Sequence, residues 1–173
     1  RKKYKKRIKI SFIAEPTNSI IKLYEIIKST DRIEFIIYGE EDYHSEMNNI
    51  NFSNNLKNDY AKNIIPIVAK ANNIEAIFTP YLHLSNSSGL KKHILQSIML
   101  GYSGLLLIHP NQIILSNKLY TPSIKDFKIA NQIINSNKSK KYEGQNISVL
   151  KNKLIGPPMI KRAERILKSY KKK

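Results

Sequence analysis

The chain has 173 residues, carries 30 lysines and arginines against 13 acidic residues for a formal charge of +17, and contains neither cysteine nor tryptophan. The lack of cysteine excludes a disulfide scaffold, a thiolate metal site and a cysteine nucleophile. A hydrophobic content of 41% with only 6 glycines and 7 prolines excludes a disordered tail and a collagen-like chain.

Hydrophobic periodicity predicts alternating strands and helices. Ile8–Ala14 is apolar and β-branched, a strand, and Ser19–Ser29 places Ile20, Leu23, Ile26 and Ile27 at helical spacing behind Thr17 or Asn18 as N-cap. Arg32–Tyr38 reads as a second strand ended by Gly39, with Glu40 and Glu41 at its rim and a polar loop over Tyr43–Asn55. Leu56–Ala71 is a helix kinked at Pro66, and Ile74–Thr79 is a short strand. Gly89–Leu100 is a helix with Leu90, Ile94 and Ile98 on one face, stopped by Gly101, and His93 between lysines is expected at the surface. Gly104–Ile108 is a continuous apolar run, the pattern of a strand buried on both faces, and Ser123–Ile134 and Pro158–Ser169 are further helices. The longest apolar stretch is far short of the ~18 residues of a membrane span, and Glu15 follows the basic opening segment too soon for a signal peptide.

This β-α-β-α-β-α-β-α order implies a parallel sheet with right-handed crossovers, either an open doubly wound sheet or part of a (β/α)8 barrel. No G-x-G-x-x-G follows the first strand and no G-x-x-x-x-G-K-[ST] occurs, so dinucleotide and P-loop readings lose support.

The charge first suggests nucleic acid, but its distribution points elsewhere. Residues 1–10 hold seven basic side chains and no acid, and residues 160–173 hold seven against Glu164. The body between them is close to balance, and lysine outnumbers arginine by 25 to 5, whereas bidentate phosphate and base contacts favour arginine. No specific nucleic-acid partner and no membrane partner are expected.

Polar residues gather just past the strand ends: Glu15, then Glu40, Glu41 and Asp42, then His109. Neighbouring parallel strands lie about 4.8 Å apart, so Glu15 and Asp42 can converge on one cation; they can equally cap helices or face solvent. His109, in Ile108-His109-Pro110-Asn111-Gln112, can meet a ligand at the mouth of the sheet or cap the following helix. No nucleophile elbow or Ser/His/Asp spacing is present.

The segment Gly101-Tyr102-Ser103-Gly104 through Ile108-His109-Pro110-Asn111-Gln112-Ile113, followed by Asn117-Lys118-Leu119-Tyr120-Thr121-Pro122-Ser123, resembles the "G-F-x-G-K-x-x-I-H-P-x-Q-I … N-x-x-F-T-P-S" signature of the HpcH/HpaI aldolase/citrate lyase family. Tyr38-Gly39-Glu40-Glu41-Asp42-Tyr43 resembles its "F-G-A-E-D-L", Phe12–Glu15 falls at its "L-I-E-T" strand, and Leu154–Leu167 is similar to its "M-I-D-x-P-x-x-x-R-A-x-x-I-L".

The resemblance implies an α/β fold, the C-terminal half of a (β/α)8 TIM barrel with about four β/α units, in which residues 1–136 form the half barrel and residues 137–173 a C-terminal loop and helix extension. It implies Mg²⁺ held by Glu15 and Asp42, and a coenzyme A thioester met by Ile108, His109 and Pro110. It implies a carbon–carbon lyase that converts citryl-, malyl- or citramalyl-CoA into an acyl-CoA and a 2-oxo acid. A homo-oligomer, trimer or hexamer when complete, is implied, in the cytoplasm or alternatively the mitochondrial or another organelle matrix. Two catalytic positions depart from the pattern: the "A-I-D" aspartate is Phe78 and the "M-I-D" aspartate is Gly156, so no catalytic residue is assigned. The glycine of "E-T-A-x-G" is Ser19 and the "G-K" lysine is Leu105. A complete barrel needs ~200 residues or more, so a chain opening at Arg1, just before a strand, is expected to be one half of such a lyase. The alternatives are a non-catalytic relative, because neither Phe78 nor Gly156 can transfer a proton, and a basic binding module acting through the lysine-rich ends. A half barrel is also expected to expose unpaired strand edges and an apolar inner face.

Overall fold

The computed structural model describes residues 7–48, 60–141, 147–150 and 152–170. They fall into two compact units, Arg1–Tyr120 and Thr121–Lys173. The expected division at residue 136 would lie inside a helix of the second unit, Ile124–Lys141.

The first unit is a four-stranded parallel sheet of β1 (Ile10–Ala14), β2 (Ile33–Tyr38), β3 (Glu75–Phe78) and β4 (Gly104–Leu105), side by side in chain order. Helices follow the strands: α1 (Thr17–Ile21) and α2 (Leu23–Lys28) after β1, α3 (Glu40–Glu46) and α4 (Tyr60–Ala71) after β2, α5 (Ser87–Leu100) after β3, and α6 (Ile113–Tyr120) after β4. Four consecutive β/α units in sequential order are half the complement of a (β/α)8 barrel.

Alternation along the strands decides the two faces. Ala14, Ile36, Tyr38, Ala76 and Phe78 are buried with Leu23, Ile27, Ile65 and Tyr102 in one core. On the other face Ile13 stands level with Ile37, Ile37 with Ile77, and Ile77 with Gly104, a single row across the sheet. Ile13 is 46% exposed, so this face is open among the described residues, as expected of half a barrel.

Several expectations change. The helix expected to begin behind Thr17 or Asn18 starts at Thr17 with Pro16 as N-cap and is divided at Lys22, although its hydrogen bonds run on through the division. The loop expected over Tyr43–Asn55 is helical to Glu46, because Tyr43 turns inward against Tyr38 and anchors a turn that its polar neighbours conceal; residues 49–59 lie outside the described residues. Ser97, not Ile98, completes the buried stripe of α5 with Leu90 and Ile94, while Gly101 ends that helix in the left-handed region at φ 97°, as expected. The apolar run Gly104–Ile108 is not buried on both faces. It forms a ladder with β3 on one side only, among the described residues no strand pairs with its other edge, and Leu106 and Ile108 are exposed.

The second unit holds α7 (Ile124–Lys141), a hairpin of β5 (Ser148–Leu150) and β6 (Lys153–Ile155) that the apolar pattern did not reveal, and α8 (Pro157–Tyr170). Ser123 and Asp126 cap α7 reciprocally: the Asp126 carboxylate accepts from the Ser123 N–H at 2.9 Å, and the Ser123 hydroxyl accepts from the Asp126 N–H at 3.1 Å. The Ser123 hydroxyl, which donates to the Asp126 carboxylate at 2.6 Å, and then the Ser123 N–H hold that carboxyl below its usual range. Ala130, Ile133, Ile155 and Ala163 form the core of this unit. Among the described residues no helix is long and apolar enough to cross a membrane.

Candidate functional site

The parallel register places Ala14 level with Tyr38, so the residues that leave β1 and β2 emerge side by side, and the Gly39 N–H donates to the Ala14 carbonyl at 3.1 Å. Glu15 leaves β1 here and its side chain lies over Gly39, where a Cβ would come within 2.1 Å of the Glu15 Cγ. Asp42 lies in the first turn of α3, two residues past the start of that helix. The two carboxyl groups meet. Partial desolvation, then the charge of Asp42 and a hydrogen bond to it, push the Glu15 carboxyl above its ordinary range.

Two carboxyl groups this close repel when both are ionised, and a shared proton or a cation relieves that repulsion. Among the described residues no group of three or more Asp, Glu or His side chains could hold an ion, so the pair is a two-carboxylate set. Oxygen donors of that number suit Mg²⁺, which keeps several waters or substrate oxygens in its shell. The residues therefore fit the ion that the sequence pattern implies.

Glu40 departs from expectation. It is buried rather than at the rim, and its Oε1 lies 2.7 Å from the Nζ of Lys62 on α4 and 3.9 Å from His44 Nε2. Glu41 is exposed, as expected. A charge buried two residues before Asp42 carries no apolar signal in the sequence; the available sign was a dense Glu-Glu-Asp run at a strand end.

Ile108, His109 and Pro110 lie on the loop after β4, three strands away from Glu15, which across a flat sheet is about 14 Å. His109 caps the short 3-10 turn Pro110–Gln112, its Nδ1 accepting from the Asn111 N–H at 3.2 Å, so the neutral ring carries its proton on Nε2. Gln112 supports this loop from beneath. It is buried, accepts from the Ile108 N–H at 3.1 Å, and donates through Nε2 to the Tyr81 carbonyl at 2.8 Å, linking the β4 loop to the β3 loop. Its role was not evident from sequence, although it belongs to the His-Pro-x-Gln segment.

Phe78 is fully buried, its ring packed on Tyr102 at 4.7 Å, His93 at 4.8 Å and Tyr38 at 6.2 Å. His93 is accordingly not a surface residue: its Nε2 donates to the Thr79 carbonyl at 3.0 Å, and burial pulls its pKa down. Gly156 precedes α8 in the second unit, and its carbonyl accepts from the Met159 and Ile160 N–H groups. Of the basic N-terminal cluster, residues 1–6 lie outside the described residues, and Arg7 forms a bidentate pair with Asp31.

The family model described as HpcH/HpaI aldolase/citrate lyase matches residues 1–110. Over 154 residues the chain is 28% identical to citrate lyase subunit beta of Leuconostoc mesenteroides subsp. cremoris, covering 89% of this chain and 51% of that protein. Over 132 residues it is 26% identical to the mitochondrial citramalyl-CoA lyase of Homo sapiens, covering 76% of this chain and 39% of that one. The chain thus spans about half the length, or less, of these curated relatives. Its fold is similar to that of the CitE protein of Mycobacterium tuberculosis, solved in complex with magnesium, acetoacetate and coenzyme A, with a TM-score of 0.77, 20% identity, and coverage of 91% of this chain and 59% of that one.

Proposed function

Because the chain belongs to the HpcH/HpaI aldolase/citrate lyase family, we propose that it supplies the Mg²⁺-holding half of a lyase that cleaves a 3-hydroxyacyl-CoA into an acyl-CoA and a 2-oxo acid. Citryl-, malyl- and citramalyl-CoA are the candidate substrates. The observation that carries this reading is the meeting of Glu15 and Asp42 past neighbouring strand ends. Magnesium and coenzyme A in the CitE complex, and the citramalyl-CoA lyase relative, support it.

Glu15 and Asp42 would hold the ion, which when bound polarises the carbonyl of the 2-oxo acid and offsets developing alkoxide charge. The exposed Ile108 side chain offers apolar contact to the thioester arm, with Pro110 stiffening the loop. The His109 ring, held by the Asn111 N–H, presents Nε2–H as a donor. Gln112 keeps this loop at its height above the sheet. The remaining walls of the site would come from a further half barrel, and the complete lyase would be a homo-oligomer of the cytoplasm or the mitochondrial matrix.

A second reading, a non-catalytic relative that still binds the ion, is favoured by Phe78, whose buried ring has no proton to transfer. The experiment that tests both is a cleavage assay with citryl-, malyl- and citramalyl-CoA, using the chain alone and co-expressed with the N-terminal half of a relative's barrel, beside a Mg²⁺ titration of each. Cleavage that disappears in Glu15→Gln supports the lyase. Mg²⁺ binding without cleavage supports the second reading, and binding unchanged by Glu15→Gln and Asp42→Asn removes the metal-site reading.

A further inference from the structure

We propose that α3 is a brace that holds Asp42 beside Glu15, fastened at its first residue by the buried Glu40–Lys62 ion pair and at its last by Glu46 bonded to Thr17. The inference rests on Glu15 and Asp42 being the cation-holding pair, and it assigns Glu40 and Glu46 as positioning residues.

Glu40 and Lys62 are 5% and 6% exposed, and buried charges at this depth are tolerated only when paired. Their 2.7 Å contact therefore ties the start of α3 to α4. Lys62 is itself held in place. Pro66, four residues on, has no N–H to give to the Lys62 carbonyl, and the Tyr102 hydroxyl donates to that carbonyl at 2.9 Å instead. The related pattern has alanine where Glu40 stands and aspartate where Phe78 stands. The Lys62 Nζ lies 5.6 Å from the centre of the Phe78 ring, so β3 offers this lysine an aromatic face and its carboxylate partner comes from α3.

At the other end, the Glu46 carboxylate accepts from the Thr17 N–H at 2.6 Å and from its hydroxyl at 3.0 Å. Thr17 opens α1, whose N-cap Pro16 offers no side-chain acceptor, so Glu46 satisfies an otherwise orphaned N–H. Asp42 and Glu46 are four residues apart and share one face of α3. The Glu46–Thr17 bonds thus turn that face toward the segment that carries Glu15, only two residues before Thr17.

The test follows Mn²⁺ binding to the full 173-residue chain by loss of the free-ion electron paramagnetic resonance signal, with unfolding temperature measured on the same samples. Glu15→Gln is expected to abolish binding, whereas Glu40→Gln and Glu46→Ala each weaken it about tenfold, the effect typical of residues that orient metal ligands. Glu46→Gln keeps an acceptor for Thr17 without the charge, and binding is expected to stay within about twofold, since an exposed charge alone contributes little. Glu46 is exposed, so Glu46→Ala decides the matter even if Glu40→Gln does not fold. Unchanged affinity in Glu46→Ala overturns the brace and leaves the Glu15–Asp42 reading standing, and a loss in Glu46→Gln as large as in Glu46→Ala also overturns it. Mn²⁺ binding that ignores Glu15→Gln overturns the pair and the brace together.

Discussion

Glu15 lies across Gly39: a methyl group on that glycine would meet the Glu15 Cγ at 2.1 Å and the Ile13 Cγ2 at 2.9 Å. The glycine is present for space, since its φ of −93° is open to any residue. Gly39→Ala should therefore swing Glu15 away from Asp42. The expected outcome is about a tenfold loss of Mg²⁺ affinity with an overpacking cost of about 1–2 kcal/mol, read by calorimetric titration and by chemical denaturation.

Lys62→Met should be much more damaging than its conservative size suggests. It leaves the Glu40 carboxylate buried without its cation, at a cost of about 3 kcal/mol. The double variant Lys62→Met/Glu40→Leu removes both charges and should recover most of that loss. Urea denaturation of the two variants beside the wild type gives the comparison.

His93 gives stability a pH dependence. Burial lowers its folded-state pKa, outweighing the bond to the Thr79 carbonyl and the charge of Glu40, both of which raise it. Above the unfolded-state value of about 6.5 the ring is neutral in both states and its contribution is complete. As pH falls through that value toward the lower folded pKa, the unfolded chain takes up a proton that the folded chain does not, and stability is lost. Thermal melts from about pH 8 to about pH 5 should show this decline, and His93→Phe should flatten it.

Gln112→Met keeps the side-chain length but strips both amide bonds, leaving the Ile108 N–H and the Tyr81 carbonyl without this partner. A cost of about 1–3 kcal/mol is expected. Because the loop that carries His109 loses its strut, affinity for coenzyme A should fall more than affinity for Mg²⁺, a difference that paired titrations resolve.

Gly156→Asp tests whether the departure at that position has a steric cause. A Cβ there meets only Pro158 Cδ, at 3.8 Å, so the aspartate fits. Gly156 stands at the N-cap of α8, where aspartate is preferred over glycine by a few tenths of a kcal/mol. A small rise in unfolding temperature is expected, whether or not activity changes.

The legible part of this fold is the part built on apolar periodicity. Ile13, Ile37 and Ile77, and the stripe Leu90–Ile94, announce the strands and helices because burial selects residue types at fixed intervals. Glu15 and Asp42 were visible as polar residues past strand ends, and a recognisable sequence pattern singled them out. What stayed hidden depends on partners distant in sequence. Glu40 reads as a solvated acid until Lys62 is beside it, His93 reads as surface because its neighbours are lysines, and Tyr102 has no evident polar duty until Pro66 deprives Lys62 of its helical partner. The final apolar run misled because its composition anticipates neighbours on both faces, and the described residues supply only one.

The row Ile13, Ile37, Ile77, Gly104 is wedge-shaped: three branched side chains of equal bulk, then none. The Ile77 Cδ1 already leans into the space a Cβ on Gly104 would take, at 2.9 Å. Protein interiors are filled to nearly constant density, so a surface covering this row would fill it evenly only if it were bulkier over Gly104 than over the isoleucines. At the β4 end the row therefore presents the flank of Ile77 over a bare glycine, whereas at the β1 end it presents the Ile13 side chain, 46% exposed. The open face is thus unevenly filled, bulky along β1, β2 and β3 and thin along β4, and any surface that packs on it meets a step at Gly104.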